Sequence, residues 1–221
     1  MRIIFFILLS VYNFSLTFPQ YHSSEWGSIT SFLTPTGMQI TDEGIVYTST
    51  AGGLLQFNPY TGEFNFIKIE EGLVYLDLAT ISIDNQGRLW LGGGNPKGCL
   101  QIYDPDIGLV NSFCDDLIVS INMIQIGEDI AFAVFHGTTI SDVGILEFEL
   151  DDEGLPIYKD YYTEFNEDGI AEIRDLDLSY DGIYITTDQG IFYGNYSDNL
   201  KFKANWSEIY SGNAANQFLP G

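Results

Sequence analysis

The chain holds two histidines, His22 and His136, and two cysteines, Cys99 and Cys114. The histidines stand in unrelated contexts, with no HExxH pair and no cysteine pair at metal-ligand spacing. No Gly-x-Ser-x-Gly elbow or Walker loop is present, and no GxGxxG joins a strand to a helix. The stretch "GGGNPKG" (Gly92–Gly98) offers glycines and a lysine. It lies between two strand-like segments, so it lacks the helix N-terminus that cradles phosphate. Carboxylates cluster at Asp104/Asp106, Asp115/Asp116, Asp151–Gly154 and Asn166–Asp168. Calcium wants several oxygens converging on one point, and none of these follows the EF-hand pattern. They read as Asx turns. No catalytic set, metal or cofactor is implied, and the chain is expected not to be an enzyme.

The remaining chemistry is recognition. His136, Thr138 and Asp142 fall in the longest loop, placed at Phe135–Gly144 and entered through "VFHGTT". Tyr161 and Tyr162, with Phe165, are placed in a connection between structural units. These aromatics could form a platform for a protein or carbohydrate ligand, and long loops are where function concentrates. Other aromatics, such as Tyr47, Trp90 and Phe192, sit at strand positions and are expected to pack between units.

The elements that position these residues recur. Four stretches share one grammar: Met38–Phe64, Ile81–Val110, Met123–Pro156 and Leu176–Phe202. An alternating strand comes first, then an acidic or Gly turn such as "DNQG", then a strand rich in Tyr, Trp or Ile. A Gly loop, a third strand and an Asp/Asn turn lead to a fourth. A period of about 40–50 residues with four strands per unit indicates β-propeller blades. A β-sandwich has similar strand spacing, but fourfold recurrence of one turn pattern argues against it. The expected fold is therefore all-β: a β-propeller with four visible four-stranded antiparallel blades, near 36–70, 77–115, 119–163 and 172–206, within a domain over 19–221. The ring is expected to be incomplete, with Glu25–Phe32 as a strand before the first blade. An open arc leaves apolar faces and unpaired edges, so self-association is expected.

The face built from second-to-third-strand loops and blade connections is the expected docking face. It comprises Ser49–Gly53, Gly92–Gly98, Phe135–Gly144 and Thr186–Gly190, with Glu70–Asp77 and Asp115–Ser120. The two cysteines flank one hairpin. With its turn centred between Asp104 and Leu109 and no bulge, Cys99 and Cys114 share the same index sum and face each other. A disulfide and two buried free thiols both remain open, because one bulge would break the register.

The net charge is −23, from 31 acidic and 8 basic residues. No basic footprint for nucleic acid exists. The acidic surface favours solubility and repels anionic lipid and phosphate. The N-terminus, "MRIIFFILLSVYNFSLTFPQ", places Arg2 before an apolar run from Ile3 to Leu9. That is the pattern of a secretory signal peptide, taken as 1–18; an uncleaved anchor is the rival. After cleavage no membrane insertion is expected. Three N-x-S sequons, at Asn13, Asn195 and Asn205, are read as chance.

The segment "DNQGRLWLGG" followed by "GCLQIYDPDIG" resembles the two-component-regulator propeller repeat of bacterial periplasmic sensors. "EEGLVYLDLATISID" resembles the connection leading into such a blade. "SSEWGSITSF" through "TAGGLLQFNP" resembles the start of the N-terminal propeller of a type IX secretion component that acts at the cell surface with a sortase. The likeness spans about residues 25–205, judged by repeat grammar. It implies an exported, non-enzymatic interaction module, periplasmic or at the cell surface, within a sensor or a type IX-like secretion or attachment machine. The alternative is a propeller lyase or glycosidase acting on carbohydrate, which would need convergent carboxylates or a His at the central tunnel. Export predicts removal of the leader between Ser15 and Tyr21. Mass spectrometry of the exported protein checks this, and an intact Met1 peptide would refute it.

Overall fold

The structure is a computed structural model that describes residues 31–94, 97–139 and 142–212. The leader and residues 25–30 of the strand expected at Glu25–Phe32 lie outside the described residues; Ser31 and Phe32 are not in a strand. Blade 1 comprises β1 (Pro35–Ile40), β2 (Val46–Thr50), β3 (Gly53–Asn58) and β4 (Glu63–Ile67). Blade 2 comprises β5 (Leu78–Ile83), β6 (Leu89–Gly93), β7 (Cys99–Asp104) and β8 (Gly108–Cys114). Blade 3 comprises β9 (Ile118–Ile126), β10 (Ile130–Gly137), β11 (Val143–Leu150) and β12 (Pro156–Tyr162). Blade 4 comprises β13 (Ile173–Leu178), β14 (Gly182–Thr187), β15 (Gly190–Asn195) and β16 (Trp206–Ser211). Each blade is a four-stranded antiparallel meander in sequence order. The first strands β1, β5, β9 and β13 contact one another in succession, which makes them the inner strands of a β-propeller. Among the described residues no strand of blade 4 pairs with blade 1, so the blades form an open arc. No helix of the described residues is long and apolar enough to cross a membrane.

The turns follow from local chemistry. Gly44 and Gly87 both close a β-turn between inner and second strands at φ +79°, a conformation that L side chains rarely adopt. At Gly87 a Cβ would meet nothing within 4 Å, so dihedral angle alone demands glycine. Gly92 is different: a Cβ there would come within 2.7 Å of Ile121 Cγ2 in the next blade. Blade 4 departs from the expected grammar. Residues around Leu200–Phe202 turn rather than form a strand, and the outer strand starts at Trp206. Leu200 is buried, and its carbonyl accepts the Trp206 indole N–H at 2.9 Å, which holds this longer link in place.

Strand alternation then builds the core. In β6, Leu89 and Leu91 face blade 1, while Trp90 between them faces blade 3. A sheet covered on both sides reads as a continuous apolar run. Inner strands are also tied by side chains reaching the next blade: Thr36 Oγ1 donates to Leu78 O at 2.8 Å, and Ser82 Oγ to Ile124 O at 2.8 Å. Among the described residues only one face of blade 1 is covered by another blade. On its other face Met38, Ile40, Phe64 and Phe66 are exposed, which is the apolar surface behind the expectation of self-association.

Asp84 and Arg88, in the "DNQGR" turn, form a buried latch between blades 2 and 3. Asp84 Oδ1 accepts the Gln86 and Arg88 N–H groups, both at 2.9 Å. Its Oδ2 accepts Arg88 Nε at 2.7 Å and the Trp90 indole N–H at 3.0 Å. The guanidinium reaches on to Glu153 O at 2.9 Å and Gly154 O at 2.7 Å, in the β11–β12 turn of blade 3. Replacing Arg88 by Met leaves the Asp84 charge buried and removes the donor to Gly154 O, while Glu153 O keeps the Gln86 amide at 3.0 Å. A loss of about 3 kcal/mol is expected in urea unfolding. A loss below about 1 kcal/mol, the worth of an exposed pair, would refute the latch.

Candidate functional site

On the connection face, a cleft of about 480 Å³ opens between blades 2 and 3. Phe113 of blade 2, the link residues Asp115 and Leu117, and Ile118 at the start of β9 form one wall. The blade 3 wall carries Phe135, Thr138, Asp142, Leu146, Tyr158 and Tyr161. Tyr158 lies parallel to Phe113, with ring centroids 5.2 Å apart, and Phe113 meets Phe148 edge-on at 5.4 Å. Burial pushes the Tyr158 phenol up, and the Asp160 carboxylate adds to it. Tyr161 remains 52% exposed. A larger depression on the opposite face, about 660 Å³, is lined mainly by turns and by Lys159. That lysine is already paired with Glu147 at 3.0 Å and Glu149 at 3.1 Å.

A bulge makes the aromatic wall. Phe148 opposes Tyr158 and Leu146 opposes Tyr161, with the register shifting between Glu147 and Phe148. Residues three apart on a regular strand point to opposite faces. The extra residue, Lys159, turns Tyr158 and Tyr161 to the same side. The loop opposite is narrower than the sequence suggests. β10 runs to Gly137 and β11 starts at Val143, so the loop is Thr138–Asp142 rather than Phe135–Gly144. Asp142 Oδ2 accepts the Thr139 N–H at 3.1 Å and so shapes its own turn.

The candidate ligand residues therefore divide. Thr138, Asp142 and Tyr161 meet in the cleft. His136 does not lie on a loop: it is in β10, paired with Val143 and Ser120, because the hairpin ladder persists beyond Phe135. Alternation puts it on the face of Phe132 and Val134, toward blade 4. Tyr161 and Tyr162 are not in a blade connection either; they end β12, which continues pairing as far as Ile145. Tyr162 is 6% exposed, and its hydroxyl donates to the buried Glu147 carboxylate. Burial and that hydrogen bond push its phenol far up. Phe165 does lie in the connection but is buried, edge-on to Trp206 at 4.8 Å. Phe113 and Tyr158 join the site with no local signal in the sequence, since each sits in a strand-like run such as "PIYKDYY".

Cys99 and Cys114 are disulfide-bonded, directly opposite each other, with Cα atoms 4.3 Å apart. The hairpin reaches that pairing by a different route from the regular ladder assumed in the sequence. Asp104 pairs with Gly108, not Leu109, and a bulge between Ile102 and Tyr103 restores the register. Gly108 takes φ +91°, which tightens the turn by one residue. The crosslink sits beside the cleft: Asp115 follows Cys114, and Gly98 N–H donates to Ile118 O at 2.6 Å. Asp115 Oδ1 accepts the Leu117 N–H at 2.7 Å and completes this turn.

These features define a class: a β-propeller arc with an aromatic and acidic cleft where two blades meet on the connection face. No family profile matches the chain, and no curated protein matches it. Solved structures do. The chain is similar to the extracellular domain of BT4673, a two-component system protein of B. thetaiotaomicron, with 17% identity, TM-score 0.58, and 81% of this chain aligned to 24% of that one. It is also similar to PorZ, a bacterial surface component of the type IX secretion system of Porphyromonas gingivalis: 17% identity, TM-score 0.60, covering 83% and 23% of the respective chains. A chain of the mitotic checkpoint complex matches at 14% identity and TM-score 0.53, over 87% of this chain and 60% of that one. The likeness is thus one of fold, shared with an extracellular domain of a two-component system and a type IX secretion component. The chain spans about a quarter of the length of the first two.

Removing the crosslink tests its part in the cleft. The Cys99→Ser, Cys114→Ser variant is expected to lose about 3 kcal/mol in urea unfolding, from a loop of about 15 residues. Thiol counting on the denatured wild-type protein should find none, and two free thiols per chain would refute the bond.

Proposed function

We propose that the protein is an exported, non-enzymatic interaction module, acting in the periplasm or at the cell surface. Its setting is a sensor or a type IX-like secretion or attachment assembly, and a protein or carbohydrate ligand docks on its connection face. The observation that carries this reading is the cleft between blades 2 and 3, which gathers Thr138, Asp142 and Tyr161 with the Phe113–Tyr158 stack. Exposed aromatics beside polar groups on a rigid sheet make a binding surface. The extracellular two-component-system domain and the surface secretion component of like fold support the setting.

One observation favours the enzyme alternative: Asp115 and Asp142 line the same cleft, as a glycosidase pair would. Against it, each carboxylate is engaged in its own turn, capping Leu117 and Thr139 respectively. The test is a panel of peptides and oligosaccharides screened against the exported protein and its Tyr161→Ala variant. Loss of Tyr161 should weaken the ligands that bind by about tenfold, as expected for an interface aromatic, and the ligands should be recovered chemically unchanged. Binding indifferent to Tyr161→Ala would overturn the cleft. Ligand cleavage abolished by Asp115→Asn or Asp142→Asn would establish the enzyme instead.

A further inference from the structure

Resting on the cleft reading above, we infer that the ligand is a peptide presenting a Lys or Arg side chain to the groove between Phe113, Tyr158 and Tyr161. The first reason is the hydrogen-bonding inventory of the walls. Among the described residues the charged side chains lining the cleft are Asp115 and Asp142, and no Lys, Arg, His, Asn or Gln joins them. A carboxylate only accepts. The other polar groups of the wall are the hydroxyls of Thr138, Tyr158, Tyr161 and Thr163, which donate and accept alike, so the two carboxylates set the demand for a charged donor. Ammonium and guanidinium groups only donate, with three and five N–H bonds, and they match it.

The aromatic groups point the same way. Tyr161 is half exposed at the rim, and Tyr158 stands beside it with one face against Phe113. A cation over such a ring is held by the ring quadrupole, and the nearby carboxylates strengthen the field. The apolar floor then has a role. Leu117, 73% exposed, together with Ile118 and Leu146, offers a surface for the methylene stem of a Lys or Arg while its charged head stays near the aspartates. The neighbouring lysines do not neutralise this site. Lys97 is paired with Asp116 at 2.6 Å and only feels Asp115 at longer range, and Lys201 is paired with Asp160 at 2.9 Å; among the described residues neither Asp115 nor Asp142 forms an ion pair. A chain of net charge −23 also draws a basic peptide toward its surface and repels an acidic one.

The experiment uses a fluorescein-labelled Gly/Ser peptide with one central Arg, the same peptide with citrulline, and its Glu counterpart. Maltotetraose serves as the neutral sugar, displacing the Arg peptide if it shares the cleft. Citrulline keeps the shape of Arg and removes the charge. By fluorescence anisotropy the Arg peptide is expected to bind about tenfold more tightly than the citrulline peptide. The Glu peptide should not bind, and raising the salt from about 20 to about 200 mM should weaken the Arg peptide. Asp115→Asn and Asp142→Asn keep an oxygen to cap their turns and should each cost about fivefold or more in affinity through loss of a charge-assisted contact. Tyr161→Phe should retain binding and Tyr161→Ala lose it. Circular dichroism melts of each variant, unchanged from wild type, separate this from misfolding. Equal binding of the Arg and citrulline peptides overturns the cation. If the citrulline peptide binds in a Tyr161-dependent way while the Arg peptide does not, the cleft stands and its proposed ligand falls. If no probe binds, the cation inference falls, and only the wider panel decides the cleft.

Discussion

The structure depends on one constraint: a four-stranded sheet has two faces, and in blade 2 both are apolar. β6 shows this most plainly, with Leu89 and Leu91 buried toward one neighbour and Trp90 toward the other. Such a sheet cannot stand alone in water, since a lone blade would expose all three side chains. Stacking removes the exposure twice over, once per face, and each blade is folded by its neighbours as much as by its own ladder. Stability in such arrays is close to a sum over units and junctions. On the side of blade 1 that no described blade covers, Phe64 and Phe66 are exposed, and there the same constraint is left unmet among the described residues.

Hydrophobic stacking fixes neither spacing nor rotation, because it is not directional. Polar side chains supply that register. Gln101, buried in β7, accepts the Val74 N–H at 2.6 Å and donates to Tyr75 O at 3.1 Å, which fastens the blade 1–2 connection. Arg88 does the same work across the next junction through the carbonyls of Glu153 and Gly154. In both cases the side chain satisfies backbone groups of a turn that has no ladder partner, and such groups are costly to leave bare. The "DNQGRLW" motif is thus a turn, an ion pair and a tie to the next blade in seven residues. Asp84 serves the turn and the ion pair, and Arg88 makes the tie.

The repeat was legible because its signals are local. Acidic-Gly turns, period-2 alternation and regular spacing each act within a few residues, and together they specify the blade. The chemistry of the site was less legible because it depends on facing. His136 and Tyr162 were grouped with Thr138, Asp142 and Tyr161 by nearness in sequence. A strand sends neighbours to opposite faces, so Tyr161 enters the cleft while Tyr162 turns toward Glu147. Alternation could have separated that pair from sequence alone, had β12 been extended to Tyr162. The hairpin of Cys99 and Cys114 carries the opposite lesson. A tighter turn at Gly108 and a bulge near Ile102 shift the ladder by equal and opposite amounts. The cysteines meet although the ladder between them is not regular.

What no local rule reveals is the bulge in β12. Tyr158 and Tyr161 are three apart, the wrong separation for one face of a strand, and nothing in "PIYKDYY" marks Lys159 as the extra residue. The structure supplies a reason. Lys159 pairs with both Glu147 and Glu149, which stand two apart on β11. A side chain bridging two successive same-face carboxylates sits well where the ladder slips by one. The outer strand tolerates the irregularity because its far edge has no partner strand among the described residues. Without the slip, one of the two tyrosines would turn toward blade 4, and the aromatic wall of the cleft would shrink to half. The cleft is thus a product of an edge-strand irregularity, anchored by an ion pair on the opposite face of the same sheet.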